Sequence, residues 1–331
     1  MVGFEFIRAS AILFVFLAHS IDNQSHNEIF LLLIRSISPG LTMSALGFIS
    51  GYLLSAKYGV FDGSFYIKRF ARIYSSLFVC LFLIGLLHLY LSYDVINQHS
   101  IIHFMGLSFF LNLLLVNNKS SIGIGLWFVT IINMMYLLLP LITILYKHRR
   151  SWIHLILTVG LCLFFDKVMY GTESAWNVVM SFNIGCYIGV NSDFEKFSNR
   201  SLAFYVLTTG VLIMLCAGAT ARLLPYQIRG LLMPFYPVFA LPMLWKIGNR
   251  ISGHFEDLII WFSSISFEVY ILHFYFINKY FQDLFPAIRS IYLQLIVSLL
   301  IVLPLAHICS KAGLFISSRL HFYFLHLNYG K

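Results

Sequence analysis

An arginine and a histidine stand at the two ends of the apolar run FIRASAILFVFLAHS, Phe6 to Ser20. Arg8 and His19 are eleven positions apart, which on a helix is three turns plus about 20°, so one face carries both, about 16 Å apart along the axis. A guanidinium grips anions, and an imidazole moves protons near neutral pH. Ionisable groups at membrane depth are costly and usually face a bundle interior or a water-filled cavity. Glu5 stands three residues before Arg8, placed to neutralise it as an i, i+3 pair, and Asp22 stands three after His19, placed to orient its ring. The plainer alternative is that Arg8 snorkels to the headgroups and His19 hydrogen-bonds a neighbouring helix.

A second set of cations lies in YIKRFARIYSSLF, Tyr66 to Phe78, where Lys68, Arg69 and Arg72 precede an apolar run. Arg69 and Arg72 share a helical face, and two guanidiniums at i, i+3 are suited to a bidentate grip on phosphate. The same cations would also serve as a topology signal at a cytoplasmic helix start. Further along, Ser50, Gly51 and Tyr52 end a span where glycine allows close backbone approach. Trp127 and Tyr136 interrupt an aliphatic run that ends at Pro140. Ser266, Tyr270 and His273, at i, i+4 and i+7, form one polar stripe, although tyrosine and histidine at a span's end are often interface anchors.

The elements that must position these residues are membrane helices. Of 331 residues 60% are hydrophobic and 11% charged, and the mean hydropathy of +0.84 lies outside the range of a soluble domain. Apolar runs of spanning length fall near residues 4–21, 37–56, 73–93, 124–146, 152–165, 176–190, 202–221, 230–245, 258–277 and 291–309, with 101–116 as an eleventh span or an interfacial helix. The sequence thus predicts an all-α, polytopic bundle of about ten transmembrane helices, one membrane domain over 1–331 with no appended soluble module. With both termini in the cytoplasm, the inner loops and tail hold fourteen Lys and Arg against seven outside, so the positive-inside bias absorbs the net charge of +9 and leaves no excess that calls for nucleic acid. The five cysteines, Cys80, Cys162, Cys186, Cys216 and Cys309, stand singly without metal-ligand spacing and read as packing residues. Ala18-His19-Ser20 loosely resembles a signal-peptidase site, but Glu5 and Arg8 within the apolar region argue against a cleaved leader.

Taken in order, these stretches resemble the bacterial membrane acyltransferase family 3. The resemblance rests on an Arg-x10-His first helix (Arg8, His19), an S-G-Y second helix (Ser50, Gly51, Tyr52), an arginine motif (Arg69, Arg72), a W…Y…P helix (Trp127, Tyr136, Pro140) and a late S-x3-Y-x2-H (Ser266, Tyr270, His273), and it spans residues 5–273. One branch of the family carries glutamate midway in the W…Y…P helix, where this chain has Ile132 and Asn133. Proline commonly follows the arginine motif, where this chain has Ser75 and Ser76.

The resemblance implies an integral O-acyltransferase of the bacterial inner membrane, moving an acyl group, most often acetyl, from cytoplasmic acyl-CoA to a hydroxyl of a surface polysaccharide or lipid-linked sugar. Acetyl-CoA is then a donor substrate, with no permanently bound cofactor and no metal. Lys68, Arg69 and Arg72 would meet the donor's phosphates, with Arg8 near the cytoplasmic entrance. His19 would act as base or as transient acyl carrier, and Ser50, Tyr52, Trp127, Tyr270 and His273 would line the substrate. A transporter or polysaccharide exporter also suits buried histidine and arginine, and a catalytically silent family member is the third reading.

Overall fold

Helices are what an apolar chain must form in lipid, because each backbone N–H and C=O has to find its partner within the segment. The computed structural model describes residues 2–22, 34, 42–57, 61–93, 100–107, 126–169, 173–221, 223–225, 232–288 and 290–329, and among them there are helices and no strand. The chain divides into two compact units, Met1–Gly59 with Leu138–Ser263, and Val60–Leu137 with Ser264–Lys331.

The first unit holds α1 (Val2–Asp22), α2 (Met43–Lys57), α6 (Ser151–Val168), α7 (Glu173–Asn191), the short α8 (Phe194–Phe197), α9 (Leu202–Thr220), α10 (Tyr236–Gly248) and most of α11 (His254–Ser264). Its tightest seam is α2 on α7. A Cβ on Gly51 would lie 2.2 Å from the Phe182 carbonyl oxygen, and one on Gly185 equally close to that of Phe48. The two backbones meet where glycine alone fits, the means by which helices associate in lipid, where apolar burial drives nothing. Phe4, Ile7, Phe48, Tyr52, Met180 and Ile184 form the buried core around this seam.

The second unit is built on α3 (Gly63–Tyr90), α4 (Ser100–Phe104), α12 (Ser266–Tyr275), a π-helical turn (Phe276–Tyr280), α13 (Phe281–Leu284) and α14 (Ile291–Tyr329). The helix α5 (Trp127–Lys147) belongs to this unit through Leu137 and to the first from Leu138, close to Pro140, which cannot return a hydrogen bond to the Tyr136 carbonyl. Gly313 of α14 packs against Ser76 of α3, whose Cα would lie 3.0 Å from an added Cβ.

Each of the ten apolar runs is mainly helix where it is described, and among the described residues six helices are long and apolar enough to cross a membrane. The number is seven if α11 and α12 are one bent span. Three boundaries differ from the sequence reading. α3 begins ten residues before the expected 73 because Asp62 caps it, its carboxylate accepting from the Phe65 amide at 2.9 Å. The run 258–277 is broken at Ile265 inside the polar stretch Ser263-Ser264-Ile265-Ser266, where the two helices meet at a bend of 63°. α14 continues past Cys309 to Tyr329. The possible eleventh segment is described only to Leu107, as a five-residue helix that stops at Gly106 with φ of +68°; the rest of it, 108–116, lies outside the described residues.

Candidate functional site

In the first unit α1 runs unbroken from Val2 to Asp22, so Arg8 and His19 share a face as their spacing requires. Arg8 pairs with Glu5 as expected, its Nη1 lying 3.0 and 3.1 Å from the two carboxylate oxygens. The Ser263 hydroxyl donates to the same carboxylate at 2.5 Å, which ties the start of α1 to the end of α11. Arg8 keeps about a third of its side chain exposed, so its charge is compensated by Glu5 and still reachable. His19 is half-buried. The side chain of Asp22, expected to orient the ring, lies outside the described residues.

The S-G-Y motif separates into parts. Ser50 is half-buried, and Gly51 forms the α2–α7 seam. The Tyr52 hydroxyl accepts a 3.0 Å hydrogen bond from the Phe194 amide at the start of α8, and its ring stacks on Phe4 at 5.6 Å. Tyr52 therefore places the beginning of α1 and the start of α8 against the end of α2.

In the second unit the cations lie inside α3 rather than before it. Lys68 and Arg72 are exposed and Arg69 is half-buried, its guanidinium 5.8 Å from the centre of the Phe65 ring one turn earlier. Such a cation over an aromatic face has its planar fork oriented before any ligand arrives.

The W…Y…P helix and the late S-x3-Y-x2-H meet. Phe128, beside half-buried Trp127, packs edge-on against Tyr270 at 5.6 Å, and its backbone amide, in the first turn of α5 where helical N–H groups lack partners, faces the Tyr270 hydroxyl. Tyr270 and His273 are buried at 5% and 2% exposure, with ring centres 6.0 Å apart. His273 Nδ1 lies 2.6 Å from the Tyr270 carbonyl oxygen and 3.2 Å from that of Val269. A carbonyl only accepts, so Nδ1 carries the proton and Nε2 is the basic atom of the ring.

Sequence reasoning passes over Glu268. It lies on α12 between Ser266 and Tyr270 and is only 4% exposed, with its Oε1 accepting from the Ser76 hydroxyl of α3 at 2.6 Å. A carboxylate inside an apolar run is itself the signal that would have found it. In one unit the structure thus packs Tyr52 against Phe4 of the helix that carries Arg8 and His19, and in the other it sets Phe128, next to Trp127, against Tyr270 of the helix that carries Glu268 and His273.

Comparison with known families decides what these motifs belong to. The family model described as an acyltransferase domain, Acyl_transf_3, matches residues 1–311. The chain belongs to that acyltransferase family. No match to a curated protein or to a solved structure accompanies it. The matched residues take in all five motifs, Arg8, His19, Arg69, Arg72, Tyr270 and His273 among them.

Proposed function

We propose that this membrane acyltransferase is an O-acyltransferase of the bacterial inner membrane. In this reading it moves an acyl group, chiefly acetyl, from cytoplasmic acyl-CoA to a hydroxyl of a cell-surface polysaccharide or lipid-linked sugar. The observation that carries it is the family match over residues 1–311. Its bundle has about ten crossings in one membrane domain, with both termini cytoplasmic, the arrangement that the distribution of Lys and Arg favours.

The chemistry follows from the side chains. Arg69 and Arg72, with Lys68, hold the donor's phosphates through charge-assisted hydrogen bonds. His19 takes the proton from the acceptor hydroxyl as its oxygen attacks the thioester carbonyl; the C–S bond breaks and the thiolate leaves with a proton. Arg8, its charge offset by Glu5, supports the negative charge that develops on the carbonyl oxygen. Ser50, Tyr52, Trp127, Tyr270 and His273 line the substrates, Tyr270 and His273 as a pair fixed by the Phe128 contact.

The test is release of free CoA from acetyl-CoA by the protein purified in lipid, with and without surface glycan from its host, together with mass analysis of that glycan in cells with and without the gene. Acceptor-dependent CoA release and loss of acetyl mass from the glycan on deletion are expected. Glycan of unchanged mass but lower surface abundance would instead mean transport and overturn the reading.

A further inference from the structure

The end of α3 away from the arginine motif carries a cluster of rings that the proposed chemistry leaves unused. His88, fully buried in the last turn, has three tyrosine rings about it, with centres at 5.5 Å for Tyr93, 5.6 Å for Tyr280 and 6.2 Å for Tyr275. Two of the three owe their place to one local feature. On an α-helix residues five apart diverge by about 140°, but across the π-helical turn Phe276–Tyr280 they return to one side, so Tyr275 and Tyr280 stack at 6.0 Å and both reach His88. The widened turn is held from α14, where the buried Gln294 amide donates to the Ile277 carbonyl oxygen at 3.3 Å. Turns of this kind inside helices occur mostly at functional sites.

Tyr93 carries the cluster to the surface. α3 ends with Ser92 in the left-handed region, at φ of 60°, and the chain turns back so that the Tyr93 amide donates to the His88 carbonyl oxygen at 2.8 Å. The half-buried Tyr93 ring stacks on Tyr280 at 6.2 Å, and its hydroxyl donates to Oδ2 of Asp283, an exposed residue of α13. An ionised carboxylate has about four acceptor positions, so one tyrosine does not exhaust it.

We infer that Tyr93 and Asp283 form the binding site for the acceptor glycan on the outer side of the membrane, one sugar ring resting on the outward side of the Tyr93 ring while its hydroxyls donate to Asp283. The inference rests on the proposed transfer to a glycan and on the arginine motif facing the cytoplasm. A sugar presents apolar C–H edges and hydroxyl donors side by side, and an aromatic ring beside a carboxylate meets both. A phosphate-bearing headgroup, by contrast, is repelled by Asp283. The position agrees: His88 lies sixteen residues beyond Arg72 on one unbroken helix, about 24 Å along its axis, close to the depth of a hydrocarbon core. The packing of Tyr93 against His88 and Tyr280 fixes its ring before any ligand arrives, which lowers the ordering cost of binding.

The plainer role for the same bond is a tie between the end of α3 and α13, and substitutions separate the two. The probe is oligosaccharide from the host's surface glycan, stripped of ester groups with mild base, and its dissociation constant is measured by calorimetry on the full chain in lipid nanodiscs. Asp283→Asn keeps an oxygen that accepts from Tyr93, so its melting profile should match wild type, but it should bind the oligosaccharide about tenfold more weakly. Tyr93→Leu removes the platform and should weaken binding at least as much. Tyr93→Phe keeps the ring, so it should lose less than about threefold in binding while its melting temperature falls. Coenzyme A affinity should stay at the wild-type value in all three. A cysteine at exposed Gln282, against a background of buried native cysteines, should react with a membrane-impermeant maleimide in intact cells. If Asp283→Asn and Tyr93→Leu bind the oligosaccharide like wild type, or Gln282→Cys reacts only after lysis, the site is overturned while transfer to a glycan stands. If wild type neither binds the oligosaccharide nor releases CoA in its presence, the glycan reading falls and this site falls with it.

Discussion

At the scale of single residues, the chemistry divides between side chains whose partners are visible and side chains whose role must be tested by activity. His19 belongs to the second group. Replacing it with glutamine keeps a hydrogen bond but removes basicity, so acyl transfer should fall by about a hundredfold or more while the protein stays in the membrane; assay of CoA release against immunoblotted membrane protein checks both. If the glutamine variant transfers normally, the base must be sought elsewhere, and His273, whose Nε2 is the basic atom, is next. Tyr52 belongs to the first group. Tyr52→Phe leaves the Phe194 amide unsatisfied in a buried position, which should destabilise the fold by about 1–3 kcal/mol. A loss of melting temperature with an unchanged KM for acceptor would make Tyr52 a residue of the scaffold.

At the scale of elements, the α2–α7 seam and the start of α3 make opposite demands on small changes. An alanine at Gly51 drives its Cβ into the Phe182 carbonyl oxygen at 2.2 Å, and both partners there are backbone that cannot rotate away. Gly51→Ala should destabilise by about 1–3 kcal/mol, as other overpacked interfaces do. Gly160 on α6 and Gly210 on α9 meet nothing within 4 Å, so alanine there should be neutral or slightly stabilising through helix propensity. Thermal unfolding of the three variants in one detergent separates a packing glycine from a permissive one. At the start of α3 the Phe65 amide, with the Ser64 hydroxyl, holds the Asp62 carboxyl below its ordinary range. The ionised form is therefore the one that caps, and its contribution is complete above the unfolded-state value and lost as pH falls through the lower folded value. Asp62→Ala should lower the melting temperature at pH 7, Asp62→Asn should not, and the gap between wild type and Asp62→Ala should close as the acid range is entered.

At the scale of the whole molecule, a reporter fused to the C-terminal tail should report a cytoplasmic location, as the distribution of Lys and Arg requires; an external tail would remove the arginine motif from the cytoplasmic donor. What the sequence by itself determined is local and compositional. Apolar runs became helices because lipid offers the backbone no other partner, and Glu5 paired with Arg8 because three residues on a helix is a fixed distance. The family that the sequence resembles likewise stands as a family match over residues 1–311. Where two distant segments meet was decided only in three dimensions. The spacing of Ser50-Gly51-Tyr52 does not reveal that Gly51 faces Phe182 or that the Tyr52 hydroxyl serves the Phe194 amide, because a helical period specifies a face and not its neighbour. The break at Ile265 lies inside a run whose mean hydropathy reads as one span, and hydropathy averages over the serines that interrupt it. Glu268 is the sharpest case: its residue type was legible as out of place in lipid, but its burial and its anchorage by Ser76, 192 positions away, came from the packing of α12 on α3, which no local pattern encodes.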